Sequence, residues 1–393
     1  MSFSPGMPCV VAYILTGQSM TGILLLTESD VERALDIESA MCAVRDGFRQ
    51  AALGLAQSPP WRDVRFGGST QPHGAGPGIT QAMAYLASEH VAILKHFYSF
   101  AGSPPVAILR LIDASSGRTL AVMQANHESL MRTGAAGGVA AQYLARESAT
   151  CAGVLGTGRQ AGKQIEFLLH VRPIREVHAF SVESAERREE FASRIEAATG
   201  VRVILARCAQ DVVQNADILV TATPSTVPIV KATWLSEGLH ITSMGADDAY
   251  KAELAADVYG KADKVIIDSK KALETGQCQA AFRRGIFNSE DEVTTLGEVI
   301  AGIKPGRQSD REITVFHSAG TSVQDAAIAL TVYRAACSQG IGVEIHLGNE
   351  DSSQEASYKA WIGELAEAWF TAIPSGEQHA KSAQQLSEDG AHE

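Results

Sequence analysis

The chain has 393 residues, 45% of them hydrophobic, enough for two domains of about 150 residues each plus an extension. Its 33 basic and 45 acidic residues leave a formal charge of −12, which argues against nucleic acid as a partner. No apolar run reaches the roughly 20 residues of a membrane span, and six scattered cysteines show neither paired zinc spacing nor a compact disulfide framework. Reduced thiols in a cytoplasmic protein are therefore expected. The histidines show no metal spacing, so no metal centre is expected either.

The first 27 residues carry no charged side chain, and they lack the basic start of a secretory signal. Met20 directly precedes a strand-like Ile23–Leu26, which makes residues 1–19 an expected upstream extension. Apolar residues near helical spacing predict one amphipathic helix over Ser29–Gln57. After Pro59-Pro60-Trp61-Arg62 comes a glycine-rich segment, Phe66–Gly78. It mimics a phosphate cradle, but Pro77 removes an N–H and no helix follows at once, so a flexible loop at a site rim is expected.

Strands are predicted at Ile79–Leu86 and His90–Tyr98, the second carrying Lys95 in an otherwise apolar run. A lysine in that setting ordinarily faces water. Strand, turn and strand follow at Val106–Ile112, Asp113–Arg118 and Thr119–Met123. A helix lined with small residues is then expected from Met131 to about Arg146. Arg132 would lie near its N-terminus, where a cation is disfavoured, so it calls for an anionic partner, either a ligand or a salt bridge.

At Cys151–Leu155 an apolar run breaks into Gly156-Thr157-Gly158-Arg159-Gln160-Ala161 and resumes as a helix to about Val171. Gly156 makes the tight turn, Gly158 admits a pyrophosphate to the backbone, and Ala161 allows close helix-on-strand packing. Free N–H groups at the helix start would face the phosphates. The motif alone is weak, but strands at Arg175–Val182, Val201–Cys208 and Asp217–Thr223, with a helix at Glu183–Thr199, follow it. That alternation predicts an α/β fold with a Rossmann-type doubly wound parallel sheet. Asp247, after a strand at Leu239–Met244, is either a functional carboxylate or the N-cap of a helix over Ala249–Val258.

In their order these pieces resemble the ornithine cyclodeaminase and mu-crystallin family. The residues that carry the likeness are Pro60-Trp61-Arg62, Met83, Lys95, Arg132-Thr133-Gly134-Ala135, Gly156 to Ala161 and Thr221-Ala222-Thr223-Pro224-Ser225. Met244-Gly245-Ala246-Asp247 with Lys251, Glu253 and Leu254, Gly297-Glu298-Val299 and Ser318-Ala319-Gly320 with Asp325 complete it, spanning Ile23 to Gly342. The resemblance implies a dinucleotide domain, residues 149–312, inserted into a mixed α+β substrate and dimerisation domain, residues 20–148 with 313–345. It also implies a homodimer.

By the same resemblance, Arg62, Lys95 and Arg132 hold a substrate carboxylate, Gln81 and Met83 line the substrate pocket, and Asp247 exchanges a proton with the substrate nitrogen. Lys95 and Asp247 are then the catalytic pair. NAD would lie against Arg132, Thr133, Gly156, Thr157, Gly158, Arg159, Gln160, Ala161, Ser181, Glu183, Thr221, Ala222, Thr223, Pro224, Met244, Gly245, Ser318 and Gly320. Two departures matter. Gln81 stands where ornithine cyclodeaminases have a glutamate, which weakens the case for a dibasic substrate, and Ser129 replaces a threonine.

The second Rossmann strand ends in Phe180-Ser181-Val182-Glu183-Ser184, without a clean aspartate or an arginine for a 2′-phosphate. Glu183 as acceptor from the ribose 2′-hydroxyl favours NAD, with NADP possible. The implied activity is hydride exchange with the α-carbon of a small amino acid or its imine, as in amino acid dehydrogenases and imine reductases. Conversion of ornithine to proline and ammonia is the alternative, and a non-catalytic crystallin-like binding protein the third. After Gly342 the family pattern ends. Residues 346–393 read as an acidic extension, with an amphipathic helix at Gln354–Ala372 and a disordered end.

Overall fold

The computed structural model describes residues 22–346, except 67–76, 101–104, 288 and 290–292. The expected extension at 1–19, most of the Phe66–Gly78 loop and the tail helix lie outside the described residues. The fold is α/β, built on two eight-stranded sheets.

The first sheet comprises β1 (Ile23–Leu26), β2 (Ala56–Gln57), β3 (Arg62–Arg65), β4 (Gly78–Leu86), β5 (Val91–Ser99), β6 (Val106–Asp113), β7 (Thr119–Gln124) and the late strand β16 (Val343–Ile345). Its order is β16-β1-β7-β6-β5-β4-β2, with β3 on β4, and it is antiparallel except for β1 beside β7. One face is covered by α1 (Glu28–Ala34), α2 (Ile37–Ala52), α3 (Asn126–Leu144) and α10 (Ser322–Gln339). Val44 and Phe48 of α2, Val139 of α3 and Ile328 of α10 meet Leu109 and Met123 of the sheet in one apolar core.

The second sheet is wholly parallel: β8 (Cys151–Leu155), β9 (Glu176–Phe180), β10 (Arg202–Leu205), β11 (Ile218–Thr221), β12 (His240–Ser243), β13 (Lys264–Ile267), β14 (Thr294–Thr295) and β15 (Thr314–His317). The order β10-β9-β8-β11-β12-β15-β13-β14 runs outward both ways from β8, the doubly wound arrangement. On one face α4 (Arg159–Val171) and α5 (Ala185–Thr199) pack Ile165, Leu168 and Phe191 against Val154 and Val177. On the other, α6 (Ala209–Asn215) and α7 (Ala256–Lys261) pack Val212 and Val258 against Leu219 and Ile241, and α8 (Gly276–Arg283) adds Cys278 and Ala281. The short α9 (Leu296–Ile300) is closed by a capping box between Thr295 and Glu298.

Several expectations are corrected. The helix expected over Ser29–Gln57 is two helices, because Asp36 leaves helical geometry and caps α2 through Ser39. The small-residue helix begins at Asn126 rather than Met131, which puts Arg132 two turns inside it. Those small residues admit α4: a Cβ at Gly137 would fall 1.9 Å from Gln164 Oε1. No helix spans Ala249–Val258, so Asp247 caps nothing. Strand β15 completes the parallel sheet, so the chain turns back to the first sheet's helices after His317 rather than at Ile313. Among the described residues no helix is long and apolar enough to cross a membrane.

Candidate active site

All strands of a parallel sheet end on one edge, where ligands collect in open α/β folds. At that edge the turn after β8 sets Gly156 at φ 106°, a conformation that L side chains rarely adopt, and a Cβ there would sit 2.5 Å from the Ala222 carbonyl oxygen. Gly158 is the N-cap of α4 and has open space where a side chain would be. Thr157 Oγ1 lies 2.9 Å from Ser181 Oγ, joining this turn to the end of β9. Behind it Ala161 is fully buried, and Gln164 of α4 donates to the Thr133 carbonyl at 2.8 Å.

These residues open onto a cleft of about 740 Å³ lined by Gly156, Thr157, Gly158, Ser181, Glu183, Ala222, Thr223 and Pro224. The volume suits a sizeable ligand. Nearby, the Gln160 amide nitrogen is buried without a hydrogen-bond partner among the described residues, and Arg159 at the first helical position is exposed. A dinucleotide fits this edge: the glycine turn leaves room for a phosphate and the α4 N-terminus faces it. Glu183 also lines the cleft, but Arg187 pairs with it at 3.0 Å, and Arg194 lies along the same wall. The end of β9 itself has no arginine, as the sequence shows, but α5 brings two to the cleft.

One residue organises two of the expected cofactor loops. Glu253 is fully buried, and its carboxylate accepts from Thr221 Oγ1 and Ser243 Oγ, from both N and Oγ1 of Thr223, and from the Gly245 amide at 2.9 Å. The ends of β11 and β12 are thus clamped together, with Met244 buried between them. Asp268 does the same after β15, accepting from Ser318 Oγ and the Gly320 amide, each at 2.7 Å. Gly320, at φ 81°, passes so close to Arg132 that a Cβ would lie 3.1 Å from Nη1.

Lys95, which the resemblance assigns to the substrate carboxylate, does not face water but is fully buried. Its ammonium donates to Glu128 at 2.5 Å, to Asp325 at 2.7 Å and to Ser129 at 2.7 Å, which uses all three protons. Arg132 lies one turn beyond Glu128 on the same face of α3, with Nε 3.3 Å from Asp325 and Nη1 3.2 Å from Gln324 Oε1. Its Nη2 has no partner among the described residues. Two cations and two acids thus share one enclosed volume. Burial pushes the Glu128 carboxyl up to about 7 despite Lys95. Burial acts the same way on Asp325, but Lys95 and Arg132 outweigh it and hold that carboxyl below its ordinary range.

The remaining expected residues are placed differently. Strand register pairs Lys95 with Ala82, and Gln81 with Arg62 and His96. Successive strand residues face opposite sides, so Gln81, Met83 and Arg62 lie on the face away from Lys95. Arg62 is exposed, with no ion pair or hydrogen bond among the described residues. On the Lys95 face stand Trp61 and Phe97 instead, ring centroids 5.8 Å apart, with Lys95 Nζ 4.9 Å from the Phe97 centroid. Asp247 stands in the loop after β12, half exposed rather than buried, and pairs with Lys251 at 2.6 Å. No contact joins it to Lys95 among the described residues.

Sequence reasoning passed over Glu128 and Lys271. Glu128 was hidden by the late helix start, although an acid one turn before Arg132 is a readable signal. Lys271 has no local signal at all. It follows β13 in a 3-10 turn, Lys270–Glu274. Elsewhere, Cys151, Glu176 and His178 have ligand atoms within 4.8 Å of one another near the opposite end of β8 and β9. Burial and the Glu176 charge push that thiol up to about 12, which keeps it protonated and a poor ligand.

Comparison with known proteins accords with this geometry. The model of the ornithine cyclodeaminase/mu-crystallin family matches residues 22–340. An alanine dehydrogenase of Archaeoglobus fulgidus is 40% identical over 330 residues, 82% of this chain and 98% of that protein. Among solved structures, an archaeal alanine dehydrogenase dimer with bound NAD superposes with a TM-score of 0.75 at 38% identity, covering 83% of this chain and 99% of the other. The Δ1-pyrroline-2-carboxylate reductase of Thermococcus litoralis, in complex with NADH and L-proline, gives 0.76 at 30% identity, covering 82% and 100%. The chain belongs to the ornithine cyclodeaminase/mu-crystallin family.

Proposed function

We propose that this protein is an NAD-dependent oxidoreductase that exchanges a hydride with the α-carbon of a small amino acid or its imine. The observation that carries the reading is the buried Lys95, Glu128, Asp325 and Arg132 cluster, set beside loops from the carboxyl edge of the parallel sheet. Relatives named as an alanine dehydrogenase and a pyrroline-2-carboxylate reductase support the same chemistry. When bound, NAD supplies or takes up the hydride.

The chain's own residues then have distinct tasks. Arg132 offers its uncommitted Nη2 to the substrate carboxylate, and Asp325 and Gln324 hold the guanidinium in place. Lys95 stands behind it as fixed charge, because its three protons are already given to Glu128, Asp325 and Ser129. Glu128 Oε1 and Asp325 Oδ2 are buried without a hydrogen-bond partner among the described residues, and we assign the cluster one proton shared by the two carboxyls. The cluster is then left with one positive charge in excess, which a carboxylate neutralises. Asp247 moves the proton to or from the substrate nitrogen, with Lys251 orienting its carboxylate between turnovers.

The proposed organisation places residues 149–317 in the nucleotide domain and 20–148 with 318–345 in the substrate domain. The working form is a cytoplasmic homodimer, in line with the dimer of the archaeal alanine dehydrogenase. Purified protein given NADH or NADPH and a panel of 2-oxo acids with ammonia or methylamine should oxidise the cofactor and yield the amino acid. Proline and ammonia formed from ornithine with NAD, without net NADH, would replace this reading by a cyclodeaminase. Silence in both assays with cofactor still bound would leave a binding protein.

A further inference from the structure

Lys271 is a cation placed beside the site with little in the protein to satisfy it. Its ammonium lies 3.4 Å from the centroid of the Trp61 ring and donates a single long hydrogen bond, 3.4 Å, to the Ala319 carbonyl. No carboxylate lies within 4.0 Å of it among the described residues. The nearby acid Asp268 spends its carboxylate on Ser318, Gly320 and Ser269. Burial and the Arg132 charge hold the Lys271 pKa below its ordinary value, while Asp268, Asp247 and Asp248 act in the other sense. Asp247 and Arg132, the groups assigned to the substrate nitrogen and carboxylate, are thus both among the charges that act on Lys271.

We propose that Lys271, backed by Trp61, forms a second anion subsite that receives a distal carboxylate, so that the preferred substrate is an amino- or imino-dicarboxylate. This rests on the oxidoreductase reading above. Trp61 is a fixed wall: its indole N–H donates to Ser322 Oγ at 3.0 Å and its ring leans on Phe97. Lys95 contacts the Phe97 end of that aromatic pair and Lys271 the Trp61 end. Lys95 has no proton left for a ligand, whereas the Lys271 ammonium, with one proton on the Ala319 carbonyl and one toward the Trp61 ring, keeps one free. A partly buried ammonium with an unused donor gains most from an anion that brings its own hydrogen-bond acceptors. A diacid held at Arg132 by one carboxylate would offer Lys271 the other, and a monoacid leaves Lys271 as it stands.

The test is calorimetric binding of succinate and of butyrate, equal in chain length, to the full chain saturated with NAD. Succinate should bind the wild type at least about tenfold more tightly than butyrate. In Lys271→Met the ratio of the two affinities should fall to about one, and Lys271→Arg should keep it above one. Thermal unfolding and NAD binding check that each variant is folded. A wild type that binds neither acid or both equally, or a Lys271→Met protein that keeps the succinate advantage, overturns the subsite. If monocarboxylic 2-oxo acids are reductively aminated while succinate shows no advantage, only this inference falls. If no 2-oxo acid is turned over, the oxidoreductase reading falls with it.

Discussion

The cofactor cleft and the buried charge cluster share one chain and are built by opposite means. The cleft is made of backbone: a glycine at φ 106°, the open N-terminus of α4, and strand ends drawn together by Glu253. The glycine turn and the start of α4 come from one short stretch of sequence, and Glu253 lies within 32 positions of the strand ends it joins. The cluster is made of side chains, with Lys95 from β5, Glu128 and Arg132 from α3, and Asp325 from α10, 230 positions from Lys95. A backbone site tolerates changes in the side chains around it, and a charge cluster does not tolerate the loss of a member.

That contrast is most directly broken at Lys95. Lys95→Met leaves Glu128 and Asp325 buried without their cation, and removal of one partner of a buried pair costs about 3–5 kcal/mol. Urea unfolding should show a loss of that size, and a loss below about 1 kcal/mol would mean that the cluster is not enclosed in solution. The cleft has its own weak point at Gly156. Gly156→Ala forces a side chain into the left-handed region and against the Ala222 carbonyl, costing roughly 1–2 kcal/mol at the turn. NAD binding by fluorescence titration should weaken about tenfold or more. Unchanged affinity would remove the turn from the cofactor site.

A smaller effect separates the acids within the cluster. Glu128 has its pKa raised by burial from 4.5 to about 7, so its contribution to stability is full below pH 4.5 and is lost as the pH rises through about 7. Glu128→Gln removes that dependence, while Asp325, whose pKa is lowered, changes stability only at more acid pH. The melting temperature of the variant relative to wild type should therefore climb between pH 5 and pH 8. A flat difference would show that Glu128 is ionised throughout. The smallest effect belongs to the exposed rim, where Glu183→Gln frees Arg187. Preference for NADPH over NADH, from the ratio of kcat/KM values, should rise only a few-fold, because exposed ion pairs contribute about 1 kcal/mol or less. No rise would place the ribose away from Glu183.

The same contrast explains what could be read from sequence. The turn from Gly156 to Ala161 and the helix Arg159–Val171 were legible because the apolar strand, the glycines and the helix period are neighbours in the chain. The burial of Lys95 was not, since a lysine in a strand, even one singled out by the family resemblance, shows nothing of the acids folded against it from two distant helices. Arg132 did need an anionic partner, but for a different reason: it stands inside α3 beside Asp325, not at a helix N-terminus. Gln81 and Met83 turn on strand register, where one residue decides the face, and spacing alone did not fix it. Lys271 owes its setting to Trp61, 210 positions earlier.

The central claim is that a hydride passes between the nicotinamide and the α-carbon of an amino acid. Reductive amination with NADH deuterated at the transferable C4 position, on whichever 2-oxo acid the panel selects, tests it without reference to the site residues. Mass spectrometry should find one deuterium on the α-carbon of the product amino acid. Product formed with no deuterium at that carbon would contradict the account.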